Sequence, residues 1–81
     1  MSIYVENLSY QVTQEDITAL FAEYGTVKSV QLPTDPQTGR VRGFGHVKMS
    51  TQEEEATAID ALDGCELMGQ TINVKMGKPF S

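Results

Sequence analysis

The chain has 81 residues and a net charge of −5 at neutral pH, with Lys and Arg totalling 6 against 11 Asp and Glu. Cys65 and His46 are the sole residues of their types, which excludes an internal disulfide and a zinc site of the usual Cys/His kind. No run of about 18 apolar residues offers a membrane span. The opening residues lack the basic start and unbroken apolar stretch of a signal peptide, so a single cytoplasmic domain over residues 1–81 is expected.

Ser2 to Glu6 alternates polar and apolar residues, which predicts a strand with Ile3 and Val5 on one face and Tyr4 on the other. Thr13 stands three residues before Asp16, and Ile17, Leu20, Phe21 and Tyr24 follow at helical spacing up to Gly25. Val27 to Leu32 reads as a second strand, with Val30 and Leu32 inward and Ser29 and Gln31 outward. Pro33 and the turn-rich stretch through Gly39 stop it. A third strand is expected from about Val41 to Met49. Its parity puts Arg42, Phe44, His46 and Lys48 on one face and Gly45, Val47 and Met49 on the other. Ser50 with Glu53 and Thr51 with Glu54 form overlapping capping boxes before a helix that carries Ala56, Ile59 and Leu62 inward and closes at Gly64. After a turn region through Gly69, Thr71 to Met76 predicts the last strand, with Ile72, Val74 and Met76 apolar and Gly77 and Pro79 ending it.

This βαββαβ order predicts an α+β, ferredoxin-like sandwich: a four-stranded antiparallel sheet with both helices on one face and the other face open. Tyr4 and Phe44 then lie on the open face, because Ile3, Val5, Val47 and Met49 supply the apolar set opposite. Exposed rings flanked by cations suit unstacked bases, at about 1–3 kcal/mol per stacked base. The cations Lys28, Arg40, Arg42, Lys48, Lys75 and Lys78 all fall in strands, strand loops or the last strand exit. Most acids fall in the helices or just after the second one, leaving Glu6 and Asp35 on the sheet side. The candidate binding residues are Tyr4, Phe44, His46, Arg42, Lys48, Arg40, Gln31, Lys75 and Lys78.

The run Arg42-Gly43-Phe44-Gly45-His46-Val47-Lys48-Met49 resembles the eight-residue signature of the RNA-recognition-motif family, and Ile3-Tyr4-Val5-Glu6-Asn7-Leu8 its six-residue companion. The resemblance covers nearly the whole chain and looks closest to the short single-domain RNA-binding proteins of cyanobacteria. It implies that bases of single-stranded RNA stack on Tyr4, Phe44 and His46 and that Arg42 meets a phosphate. Three residues depart from the pattern. His46 stands where the family has Phe or Tyr, Met49 replaces the last aromatic, and Glu6 occupies the variable position of the short motif. Glu6 leaves two readings open, repulsion of phosphate or selection of a base edge that offers a donor. Gly43 and Gly45 are read as structural, Gly45 for close packing under the helices. Asn7 is read as tying backbone at the strand exit.

Two other classes of function compete. The fold could serve as a protein-interaction module with weak or no RNA binding, its acidic helical face suiting a basic protein partner. A small acyl-phosphate hydrolase is the other, but the Leu8-Ser9-Tyr10-Gln11 loop has neither the glycines nor the arginine that such chemistry needs. No catalytic residue, cofactor or metal site is expected.

Overall fold

Alternation in the first described residues gives β1 (Ser2–Glu6), which buries Ile3 and Val5 and turns Tyr4 and Glu6 the other way. The computed structural model describes residues 2–77, so Lys78 and Pro79 lie outside the described residues. A reciprocal capping box starts α1 (Gln14–Ala22): the Thr13 hydroxyl accepts the Asp16 amide and the Asp16 carboxylate accepts the Thr13 amide. β2 (Val27–Gln31) and β3 (Phe44–Met49) form a hairpin, and α2 (Gln52–Leu62) follows with its own box between Thr51 and Glu54. The described residues close with β4 (Glu66–Leu67), β5 (Gln70–Thr71) and β6 (Asn73–Gly77).

The main sheet has the order β2-β3-β1-β6, with every neighbouring pair antiparallel. Both helices cover one face of it. Ile17 and Phe21 of α1 and Ala58 and Leu62 of α2 join Ile3, Val5, Val47 and Val74 in one buried cluster. This is the α+β, βαββαβ sandwich that the alternation predicts. Among the described residues no helix is long and apolar enough to cross a membrane.

Five details differ from the sequence expectation. β3 begins at Phe44, not near Val41, so Arg42 stands in the loop. Val41 makes an isolated bridge to Thr34, and the Arg42 amide donates to the Pro33 carbonyl at 2.9 Å. Gly43 then takes φ 91°, a conformation that L side chains resist, and its carbonyl accepts the Leu8 amide at 2.8 Å. The helix α2 is rotated, so that Ala56 is exposed and Glu55 is buried at 3 % exposure. A buried carboxylate needs a donor, and Glu55 takes the Met49 amide at 3.1 Å. The stretch before the last strand is a small hairpin of β4 and β5 rather than a plain turn. Met68 at φ 53° and Gly69 at φ 81° have the two positive angles of a type I′ loop. The last strand starts at Asn73, with Ile72 buried just before it. Gly45 is tight for a different reason than expected: a β-carbon there would meet Leu32 and the Gln31 carbonyl at the end of β2, not a helix.

Glu54 ties the two halves together. Its carboxylate accepts the Ser50 hydroxyl, the Thr51 amide at 3.1 Å and, across the fold, the Thr26 amide at 3.3 Å. These bonds, the one from Ser50 foremost, hold the carboxyl below its ordinary value near 4.5, against an opposing desolvation effect. A folded-state value below the unfolded one stabilises the fold above the unfolded value, and that contribution is lost as pH falls through the folded value. Thermal melts of the protein and of Glu54→Gln between pH about 6 and about 3 should therefore show a gap in midpoint that is widest at the upper end and closes on acidification. A gap independent of pH would contradict the assignment.

Candidate nucleic-acid interface

The register of β1 with both neighbours sets the open face. Tyr4 pairs with His46 of β3 on one side and Lys75 of β6 on the other, and His46 pairs with Gln31 of β2. Parity turns all of them outward, so Gln31, His46, Tyr4 and Lys75 run straight across the sheet. The next row holds Phe44, Glu6 and Asn73.

The rings touch without covering one another. Tyr4 and His46 meet edge to face at 5.2 Å between centroids, and Tyr4 and Phe44 are tilted by 36° at 6.3 Å. Mutual contact leaves all three half-buried rather than fully in solvent. Cations sit beside them: Lys75 Nζ lies 5.5 Å from the Tyr4 ring centre and the Arg42 guanidinium 5.9 Å from that of Phe44. Lys75 also pairs with Glu6 at 3.4 Å, with side chains 61 % and 37 % exposed. A pair so open to water is worth less than about 1 kcal/mol, so it positions charge more than it stabilises the fold.

The structure thus brings together Tyr4, Phe44, His46, Gln31 and Lys75, with Arg42 joining from the loop. Arg40 and Lys48 flank this group without belonging to the ring row. Arg40 lines a cleft of about 360 Å³ with Tyr10, Asp35 and Arg42, and Lys48 one of about 340 Å³ with Lys28 and the start of α2. Lys78 lies outside the described residues. Asn7 does tie the strand exit: at φ 65° its amide donates to the Thr71 carbonyl at 2.7 Å, while Gln70 donates to the Asn7 carbonyl at 2.9 Å. Sequence reasoning missed Asn73, which only the register brings beside Glu6, and Tyr10, an aromatic that the strand period does not reach.

Burial pushes the half-buried Cys65 thiol up, away from the thiolate form. Among the described residues no group of three or more His, Cys, Asp or Glu is placed to hold a metal ion.

Known proteins share both sequence and shape with this domain. A family profile described as RNA recognition motif matches residues 3–73. RbpA of Nostoc sp. (strain PCC 7120), named for RNA binding, is 63 % identical over 79 residues, covering 98 % of this chain and 78 % of its own. A crystal structure described as RNA Binding Protein PG1 superposes with TM-score 0.89 at 43 % identity, covering 99 % of each chain. A structure of the Rna15 RRM with bound RNA (GU) gives TM-score 0.89 at 27 % identity, covering 96 % of this chain and 83 % of that one. With its two signature segments on adjacent central strands and its profile match over most of its length, the chain belongs to the RNA recognition motif family.

Proposed function

We propose that the domain binds single-stranded RNA across the open face of its sheet. Bases stack on Tyr4, Phe44 and His46, while Arg42, Lys75 and the flanking Arg40 and Lys48 meet phosphates. Gln31 offers an amide at the end of the row, and Lys78, outside the described residues, is read as a further phosphate contact. The module works in the cytoplasm by binding alone, without a catalytic step. One observation carries the reading: three rings and their cations form rows on a sheet face that neither helix covers. The names of the Nostoc relative and of the RNA-bound Rna15 structure support the choice of ligand.

Two stacks at about 1–3 kcal/mol each, plus a few phosphate contacts, approach the roughly 8 kcal/mol of a micromolar complex. Phe44→Ala should weaken binding of labelled single-stranded RNA about 5- to 150-fold in an anisotropy titration. Its thermal midpoint should fall less than that of a variant at the fully buried Phe21. If Phe44→Ala instead unfolds the domain, the ring belongs to the core and the reading fails. Absence of RNA binding by the unaltered protein at low salt would favour the protein-interaction alternative, with a basic partner on the acidic helices.

Glu6 holds Lys75, so an RNA phosphate has to compete with its carboxylate for the ammonium group. Glu6→Gln removes that competitor and one negative charge from the face. The expected result is tighter binding at low salt and a log–log salt slope steeper by up to about 0.7, the contribution of one more phosphate contact on a single strand. Weaker binding would assign Glu6 the opposite role, that of acceptor for a base donor.

A further inference from the structure

Tyr10 stands in the loop between β1 and α1 with 64 % of its surface exposed. A lone exposed aromatic is ordinary, but this one is a shared wall. On one side lies a cleft of about 270 Å³ lined by Asn7, Leu8, Tyr10, Arg42, Gly43 and Gln70. On the other lies the cleft of about 360 Å³ that includes Arg40 and Asp35. Tyr10 and Arg42 border both, and Arg42 also reaches Phe44 of the ring array. A single side chain therefore links the end of the stacking face to the tyrosine beyond it.

The first cleft is built on tied backbone. The Leu8 amide donates to the Gly43 carbonyl at 2.8 Å, and the Asn7 and Gln70 side chains bond across to the strand ends at 2.7 and 2.9 Å. The Tyr10 ring edge lies beside Gly43, at ordinary contact distance, 3.5 Å, from where a β-carbon would stand. The Gln70 amide nitrogen spends one of its two hydrogens on the Asn7 carbonyl, which fixes the amide at the cleft and leaves it able to hydrogen-bond a base edge. In the second cleft an Asp35 oxygen holds the Gln37 amide at 2.8 Å, which gives that acid a turn-forming role beside Arg40.

We infer that Tyr10, with Arg42 and Gln70, forms an additional nucleobase subsite. It takes a base of the same single-stranded RNA after the strand has passed Phe44, with Arg42 on the intervening phosphate. This rests on the RNA-binding reading above. A flat exposed ring and a preorganised floor suit stacking, which tolerates any base, while the Gln70 amide supplies a polar contact to the base edge.

The test uses labelled random-sequence RNA trimers and hexamers with the unaltered protein, Tyr10→Ala, Tyr10→Phe and Phe44→Ala. The subsite requires that Tyr10→Ala weaken hexamer binding about 5- to 150-fold and leave trimer binding unchanged, that Tyr10→Phe retain both, and that Phe44→Ala weaken both. Full hexamer affinity in Tyr10→Ala, or equal weakening at both lengths, overturns the subsite while a loss in Phe44→Ala keeps the sheet-face reading standing. Failure of the unaltered protein to bind either length, or full affinity of Phe44→Ala, overturns the sheet-face reading and the subsite with it.

Discussion

β1 lies at the centre of the sheet between β3 and β6, and its register with both decides where every ring and charge of the open face ends up. Because side chains alternate along a strand, a slip of one residue would send Tyr4 into the core and Ile3 into solvent. The helices prevent such a slip. Phe21 and Ile17 of α1 and Leu62 and Ala58 of α2 are packed against Ile3, Val5, Val47 and Val74, and that apolar set has no other place to go. Core packing and site geometry are thus two consequences of one period: what is buried beneath the sheet dictates what is presented above it.

The same arrangement reconciles an acidic chain with an anionic ligand. Net charge acts over a distance of about a Debye length, roughly 8–10 Å at physiological salt, so its location counts for more than its sum. The acids of the helices serve the fold from the covered side: Asp16 and Glu54 close capping boxes, Glu55 holds the Met49 amide, and Asp63 holds the Val74 amide at 2.9 Å. The rings have Arg42 and Lys75 beside them. Glu6 is the exception on the face, and its pairing with Lys75 makes it a modulator of that cation rather than an isolated negative charge.

Much of this was readable from periodicity. The strand alternation of Ser2 to Glu6, the caps at Thr13 and Thr51 and the parity of Phe44, His46 and Lys48 all reappear in the structure, since each is a local signal reinforced by burial. The misses have physical causes too. Met68 occupies a left-handed position usually taken by Asn, Asp or Gly, which hid the β4–β5 hairpin. Glu55 is buried because a strand-end amide needs an acceptor, a demand that no helical pattern encodes, and Ala56 is turned out in consequence. Alternation alone places Arg42 in a strand, but the positive φ of Gly43 breaks that strand and leaves Arg42 in the loop, beside the Phe44 ring and lining a cleft with Tyr10. Tyr10 lies in a loop, where sequence period carries no information about direction.

The claim that ties these features together is that RNA lies on the face carrying Tyr4 and Phe44 and leaves the helices untouched. An amide chemical-shift titration with short single-stranded RNA tests it most directly. The account predicts saturable shifts along β1, β3 and β6 around Tyr4, Phe44, His46 and Lys75, with α1 and α2 unmoved. Shifts concentrated on the helices, or a spectrum that RNA leaves unchanged at low salt, would contradict it.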